Sequence, residues 1–205
     1  MITLSRIRLR EIRLPLREPF RISSGVISDR RILLLELTDA NGVTAWSECV
    51  AGEAPNYTPE TIDTAWIAIT KWIAPRVLDT PFAAPGDVHD VLDKDFRGHN
   101  MAKAAVEMGA WALAAQADGI PLSKKLGGTR DRIRVGISLG IQKSPAALVE
   151  KARAALERGY RKVKIKIKPG ADVEYIRAVR EELGSEAPLM ADANNAYTLE
   201  TAHSL

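Results

Sequence analysis

Lys162-Val163-Lys164-Ile165-Lys166-Ile167-Lys168 is the stretch on which the fold turns. Successive side chains along a strand point to opposite faces. Val163, Ile165 and Ile167 therefore share one face, and the four lysines share the other. On the edge of a sheet such a lysine row would face water and block edge-to-edge pairing. The flanking residues argue for another setting. Ser144-Pro145 opens a helix running to about Arg158, and Gly159 stops it. Pro169-Gly170 turns into a second helix from about Val173 to Leu183. Ile133 to Ile141 reads as the strand before the lysine run and Leu189 to Ala193 as the strand after it, with Thr198 opening a further helix.

Strand, helix, strand, helix, strand means a parallel sheet, wound open or closed into a barrel. Both faces of such a sheet are normally covered. A lysine row on a covered face is costly unless it lines a polar site. The mouth of a (β/α)8 barrel is one, because its sites lie at the carboxyl ends of the strands. A closed barrel takes roughly 250 residues, and the stretch after Asp131 is far shorter. Three parallel strands cannot close, so the barrel is expected to be truncated in this chain.

Two ammonium groups two residues apart each disfavour charge on the other, and a lysine shifted in this way serves as a base near neutral pH. The second informative run is Met190-Ala191-Asp192-Ala193-Asn194-Asn195. Asp192 falls at the end of the third parallel strand, where a carboxylate faces the same rim. It suits a hard divalent cation such as Mg2+, which wants oxygen ligands. The same residues would also make an Asp/Asn turn leading into the next helix. Lys166 and Asp192 are 26 residues apart, one strand–helix–strand step.

Residues 1–128 read as an α+β unit. Ile2 to Leu14 alternates apolar and polar residues, and Arg31 to Thr38 is a dense apolar strand. Asp39-Ala40-Asn41-Gly42 is a hairpin signal, with Asn-Gly supplying positive φ, and Val43 to Cys49 returns as the partner. A three-stranded meander follows, with Pro19–Gly25 as a loop. A helical layer comes next. Thr58 caps a helix with Pro59 at its first position and Ile62, Trp66, Ile69 and Ile73 on its apolar stripe. Pro85 to Asp95 forms a shorter helix and Asn100 to Ala117 a third. The expected domains are 1–128, α+β, and 129–205, the start of a (β/α) barrel.

The 205 residues are 46% hydrophobic and 27% charged, ordinary for a globular protein, with net charge +3. No apolar run reaches the ~18 residues of a membrane span. The N-terminus reads as a strand and not as a signal peptide. A single cysteine, Cys49, excludes an internal disulfide, and the cytoplasm is the expected compartment. Arg6, Arg8, Arg10, Arg13, Arg17 and Arg21 raise a nucleic-acid reading. Their alternation with Ile and Leu favours a solvated strand face instead, so neither nucleic acid nor membrane is expected as a partner. Gly136 to Ser144 lacks P-loop spacing. His89, His99 and His203 show no metal-ligand spacing, and His99 is expected to be structural or capping. Cys49, Trp66, Trp72, Met101, Met108 and Trp111 are expected in the core.

The runs Lys162–Asp172 (KVKIKIKPGAD) and Ala191–Tyr197 (ADANNAY) resemble the muconate lactonizing subgroup of the enolase superfamily. So do Trp46–Val50 (WSECV), Phe96–Met108 (FRGHNMAKAAVEM) and Gly136–Ile141 (GISLGI). Within that subgroup the sequence is most similar to the o-succinylbenzoate synthase and N-acylamino acid racemase family, across essentially the whole chain. The resemblance implies an α+β capping domain before a (β/α)8 barrel, and Mg2+- or Mn2+-dependent removal of a proton α to the carboxylate of a small molecule. It implies Lys166 as base, Lys164 as its electrostatic partner, Asp192 as a metal ligand and Asn194 as a supporting partner. Ser138, Phe20, Arg21 and Tyr57 are implied as substrate contacts. The reaction implied is dehydration to o-succinylbenzoate in menaquinone synthesis, racemization of N-acylamino acids, or both. Dipeptide epimerization and muconate-cycloisomerase-like chemistry are alternatives. The family's remaining metal ligands and second lysine lie on later strands, so the 205 residues alone are expected to be inactive, and a non-catalytic remnant is the rival reading. A homo-oligomer is expected for the full-length protein.

Overall fold

The computed structural model describes residues 1–22 and 25–204. They form two compact units, Met1–Pro15 with Asp29–Thr129, and Leu16–Ser28 with Arg130–Leu205. The main division falls between Thr129 and Arg130, and Leu16–Ser28 groups with the second unit.

The strands of the first sheet are β1 (Ile2–Ile22), β2 (Gly25–Asp39), β3 (Thr44–Cys49) and β4 (Pro81–Phe82), in the order β3-β2-β1-β4. The expected meander thus gains a fourth strand, antiparallel to β1 with Ile2 opposite Phe82. The expected loop at Pro19–Gly25 is also corrected. Pro19–Ile22 continues β1 and Gly25 begins β2, while Ser23 and Ser24 lie outside the described residues. The turn between β2 and β3 is held by Asp39, whose Oδ1 accepts from the amides of Asn41 (2.9 Å) and Val43 (2.8 Å). Only Gly42 takes positive φ there, at 84°. The Asn-Gly pair therefore does not form the two-residue hairpin turn that the sequence suggests.

The helices of this unit are α1 (Ile62–Ala68), α2 (Ala74–Val77), α3 (Asp87–Asp93), α4 (Asn100–Ala117) and α5 (Leu122–Lys125), with a π turn at Ile69–Ile73 joining α1 to α2. Pro75 has no amide hydrogen to continue an α ladder, and the Ala74 amide reaches back five residues to the Ile69 carbonyl. α1 starts three residues later than Thr58 suggests. Thr61 caps it in a reciprocal pair with Thr64, which satisfies two otherwise orphaned groups. Glu60 is spent elsewhere. Its carboxylate accepts from the amides of Met101 (2.9 Å) and Ala102 (3.1 Å) and so caps α4. His99 stands at the N-cap position of α4, but its side chain makes no capping bond. α4 lies on the sheet through Gly109, where an added Cβ would come 2.6 Å from a Leu37 methyl. Leu33, Leu35, Leu37, Ile62, Ile69, Ile73, Val106 and Leu113 are all at most 1% exposed and form the core between the layers.

Trp66, Trp72 and Met108, expected inside, are 38%, 44% and 41% exposed. Trp66 and Met108 lie on sides of α1 and α4 turned away from the core, and Trp72, in the π turn, meets Phe96 and His99 instead.

The second unit carries β5 (Ile137–Leu139), α6 (Pro145–Glu157), β6 (Val163–Lys166), α7 (Val173–Leu183) and β7 (Leu189–Asp192), with a 3-10 turn at Ala202–Ser204 in place of the helix expected at Thr198. The sheet is parallel in the order β5-β6-β7. Ser144 Oγ accepts the Ala147 amide and Gly159 takes φ 93°, so α6 starts and ends where its caps dictate. β5 is shorter than the apolar run Ile133–Ile141, and the residues before it stay outside the core, with Ile133 72% and Val135 50% exposed. Leu139, Val163, Ile165 and Ile167 join Leu148 and Ala152 of α6 and Val179 of α7 in one cluster. Both helices thus cover the same face of the sheet, and the opposite face is left to Ser138, Lys164, Lys166, Met190 and Asp192.

A candidate active site at the carboxyl ends of β6 and β7

The period-two pattern of β6 buries Val163, Ile165 and Ile167 under the helices and turns Lys164 and Lys166 to the open face. Parallel pairing then sets Lys166 opposite Asp192 and Lys164 opposite Met190. Lys166 Nζ lies 2.8 Å from Asp192 Oδ2, and Lys164 Nζ lies 3.0 Å from the same oxygen. The other oxygen, Oδ1, accepts the Asn194 amide at 3.1 Å. Lys166 also donates to Asn194 Oδ1. Its side chain keeps 9% of its surface exposed, against 34% for Lys164, so Lys166 is the sheltered amine of the pair.

The hydrogen bond from Lys166, followed by that from Lys164, pushes the Asp192 carboxyl down to about 2. Asp192 is therefore fully ionised at neutral pH, and one carboxylate holds two ammonium groups. Asn194 and Asn195 take φ of 44° and 62°, a left-handed turn that Asn tolerates better than most residues. That turn brings the Asn194 side chain back over Lys166.

A further pair, Asp172 and Tyr197, went unread in the sequence although both lie in the KPGAD and ANNAY runs. Tyr197 donates its hydroxyl to Asp172 Oδ2 at 2.7 Å, while Asp172 Oδ1 accepts the Val173 amide at 2.7 Å and caps α7. Burial, then the Asp172 carboxylate, pushes Tyr197 up to about 12. The Tyr197 hydroxyl holds Asp172 below the usual carboxylate range. The bond ties the loop after β6 to the loop after β7. No periodicity announces a contact between side chains 25 residues apart.

Ser138 stands on the open face of β5, in register with Lys164, and is exposed. Arg21 accepts the Ile141 amide through its carbonyl at 3.1 Å, and Phe20 is half-buried beside Gly140. A Cβ at Gly140 would sit 2.9 Å from that carbonyl, so the absence of a side chain lets the Phe20–Arg21 strand dock at the exit of β5. Tyr57 belongs to the first unit, where it is 75% exposed. The structure thus brings together Lys164, Lys166, Asp192 and Asn194, with Ser138 beside them.

Among the described residues no group of three or more His, Cys, Asp or Glu side chains is arranged to hold a metal ion. Asp192 supplies one hard oxygen of the kind that Mg2+ or Mn2+ takes, but the octahedral shell of such an ion needs several more. The residues present fit a part of a metal site. Chemically the rim offers two amines beside a carboxylate that can share a cation, on the face of the sheet that α6 and α7 do not cover.

Residues 5–127 match the N-terminal domain of the mandelate racemase / muconate lactonizing enzyme family, and residues 147–205 match the enolase C-terminal domain-like family. An o-succinylbenzoate synthase of Geobacillus kaustophilus is 39% identical over 204 residues, which is 100% of this chain and 54% of that protein. An N-succinylamino acid racemase of Thermus thermophilus is 44% identical over 191 residues, 93% of this chain and 51% of that protein. Among solved structures, a dipeptide epimerase of Enterococcus faecalis in complex with Mg and a dipeptide superposes with a TM-score of 0.84 at 27% identity, covering 98% of this chain and 56% of its own. The chain spans about half the length of the curated relatives it matches. No helix of the described residues is long and apolar enough to cross a membrane. The first unit is the capping domain of this architecture and the parallel strands of the second are the opening strands of its barrel. The chain belongs to the mandelate racemase / muconate lactonizing enzyme family of the enolase superfamily.

Proposed function

We propose that the protein removes a proton α to the carboxylate of a small molecule, with Lys166 as the base. The observation that carries this reading is the in-register contact of Lys166 with Asp192, at 2.8 Å, on the open face of a parallel sheet. Enolase-superfamily sites are themselves the general example of a lysine or histidine base working with Mg2+. Lys164 supplies positive charge next to the base. Asn194 fixes the Lys166 amine so that its lone pair, once free, has one direction. Asp192 is one ligand of a divalent cation, Mg2+ or Mn2+, and the remaining ligands come from outside the described residues. When bound, that cation supplies positive charge opposite the substrate carboxylate. Ser138, Phe20 and Arg21 are the residues proposed to meet the rest of the substrate.

The substrate class that the relatives favour is that of o-succinylbenzoate synthase or N-acylamino acid racemase, and one protein can serve both because both begin with the same proton. Dipeptide epimerization is the second reading, supported by a structural neighbour of lower identity. The test is an assay of the protein carrying this chain, replete with Mg2+, on the cyclohexadiene precursor of o-succinylbenzoate, on N-succinyl amino acids and on dipeptides. Turnover of either of the first two supports the reading. Turnover of dipeptides alone moves the substrate to the second reading, and no turnover on any of them by folded protein leaves a non-catalytic module as the better account.

A further inference from the structure

The first unit has a groove of about 500 Å³ lined by Lys71, Trp72, Pro75, Arg76, Phe96, Arg97 and His99. We propose that this groove binds a small aromatic carboxylate, independently of the chemistry at Lys166.

Its wall is aromatic. Trp72 meets Phe96 edge-on, with centroids 6.2 Å apart at 80°, and His99 lies 5.4 Å from Trp72 and 5.6 Å from Phe96. Trp72 remains 44% exposed, so part of its ring is open to a stacking partner. The Phe96 ring is already occupied, with Arg76 at 5.1 Å and Lys103 at 4.9 Å from its centroid. The rim is cationic. Arg76 is engaged with the Lys94 carbonyl at 2.7 Å, but Lys71 and Arg97 are exposed and form no ion pair among the described residues. No carboxylate lines the groove. An open aromatic surface beside two unpaired cations is complementary to a ligand that carries a ring and an anionic head. Free phosphate satisfies only the second half of that description.

The backbone around the groove is unusual on both sides. Lys71 and Trp72 lie in the π turn, a feature frequent at functional sites. Asp95, Gly98 and His99 all take positive φ, at 53°, 68° and 53°. For Asp95 and His99 this conformation is strained, and strain of that kind gathers at ligand clamps. His99 Nδ1 is buried with no hydrogen-bond partner among the described residues. Such a group calls for an explanation beyond packing.

The probe is benzoate, titrated into the intact chain by calorimetry and followed in parallel by Trp fluorescence. Saturable binding is expected, at least tenfold weaker in the Lys71→Gln/Arg97→Gln double variant and lost in Trp72→Leu, with circular dichroism confirming that both remain folded. Lys166→Ala should bind benzoate as the parent does, which separates this groove from the rim of the parallel sheet. Cyclohexanecarboxylate, of similar size and charge but without an aromatic face, should bind several-fold more weakly. The proposal is overturned by absence of saturable benzoate binding, by equal binding of inorganic phosphate or cyclohexanecarboxylate, or by loss of the signal in Lys166→Ala. Binding of a glutamate-rich peptide without binding of benzoate would also overturn it, in favour of a protein-docking surface.

Discussion

Lys166 and Asp192 face each other in register across neighbouring parallel strands, with Nζ 2.8 Å from Oδ2. Lys164 shares the same oxygen from one side-chain repeat away, at 3.0 Å. One carboxylate therefore holds two cations, one of them only 9% exposed, and removing it strands both. Asp192→Asn should destabilise the protein by about 2 kcal/mol, the range of a charge-assisted hydrogen bond. In a double-mutant cycle with Lys166→Met the two losses should couple by more than ~0.5 kcal/mol, since contacting residues are not additive. Denaturant midpoints of the four proteins measure this.

The same carboxylate gives the protein an acid limb. In the folded state Asp192 is pushed down to about 2, below its ordinary value of 3.8. A depressed carboxyl contributes stability that is present above its unfolded value and is lost as pH falls through its folded value. Stability should therefore drop between about pH 4 and pH 2, by on the order of 2 kcal/mol at most, with solvent at the partly open side chain reducing it. Asp192→Asn should flatten this part of the stability profile. An unchanged acid limb in that variant would show that the ion pairs carry no linkage.

Tyr197 and Asp172 fasten the two loops that bear the rim residues. Tyr197→Phe should cost about 1 kcal/mol, the net value of a lost hydrogen bond. The folded value of Tyr197, about 12, lies above its ordinary 10. Its contribution is thus fully present below pH 10 and is lost as pH rises through 12. Ultraviolet titration of the four tyrosines should show one ionising late, and that one should be missing in Tyr197→Phe.

Gly140 tests how the Phe20–Arg21 strand is docked. A methyl group at 140 would meet the Arg21 carbonyl at 2.9 Å and its amide nitrogen at 3.3 Å, both backbone atoms that cannot swing aside. Gly140→Ala should cost roughly 1–3 kcal/mol, as overpacking does. The Ile141 amide, now bonded to Arg21, should exchange faster with solvent. Hydrogen exchange at that amide is the direct readout.

Much of this was legible in the sequence where side chains state their own boundaries. α4 and α7 run over the expected residues, and α6 ends at its Gly159 stop, because caps and glycines act within one turn. The Lys166–Asp192 pairing followed from a strand–helix–strand spacing that fixes register to within a residue or two. The parts that went unread depend on partners far away in sequence. Thr58 and Thr61 offer equivalent caps, and the choice falls to Thr61 because Thr64 answers it and Glu60 is drawn to α4. β4 is two residues long and exists only because β1 presents an edge to it. The π turn needs both Pro75 and a preceding helix. Asp172 and Tyr197 lie 25 residues apart with no pattern that links them, and only the folded sheet brings them together.

Lys166 is proposed to take the α-proton, and exchange of that proton with solvent tests this most directly. The protein carrying this chain, with Mg2+, should be incubated in D2O with an N-succinyl amino acid and followed by proton NMR, beside Lys166→Ala and Lys164→Ala. Loss of the α-proton signal is expected with the parent protein, none with Lys166→Ala, and a rate reduced by 10²-fold or more with Lys164→Ala. Exchange that proceeds at the parent rate in Lys166→Ala would contradict it.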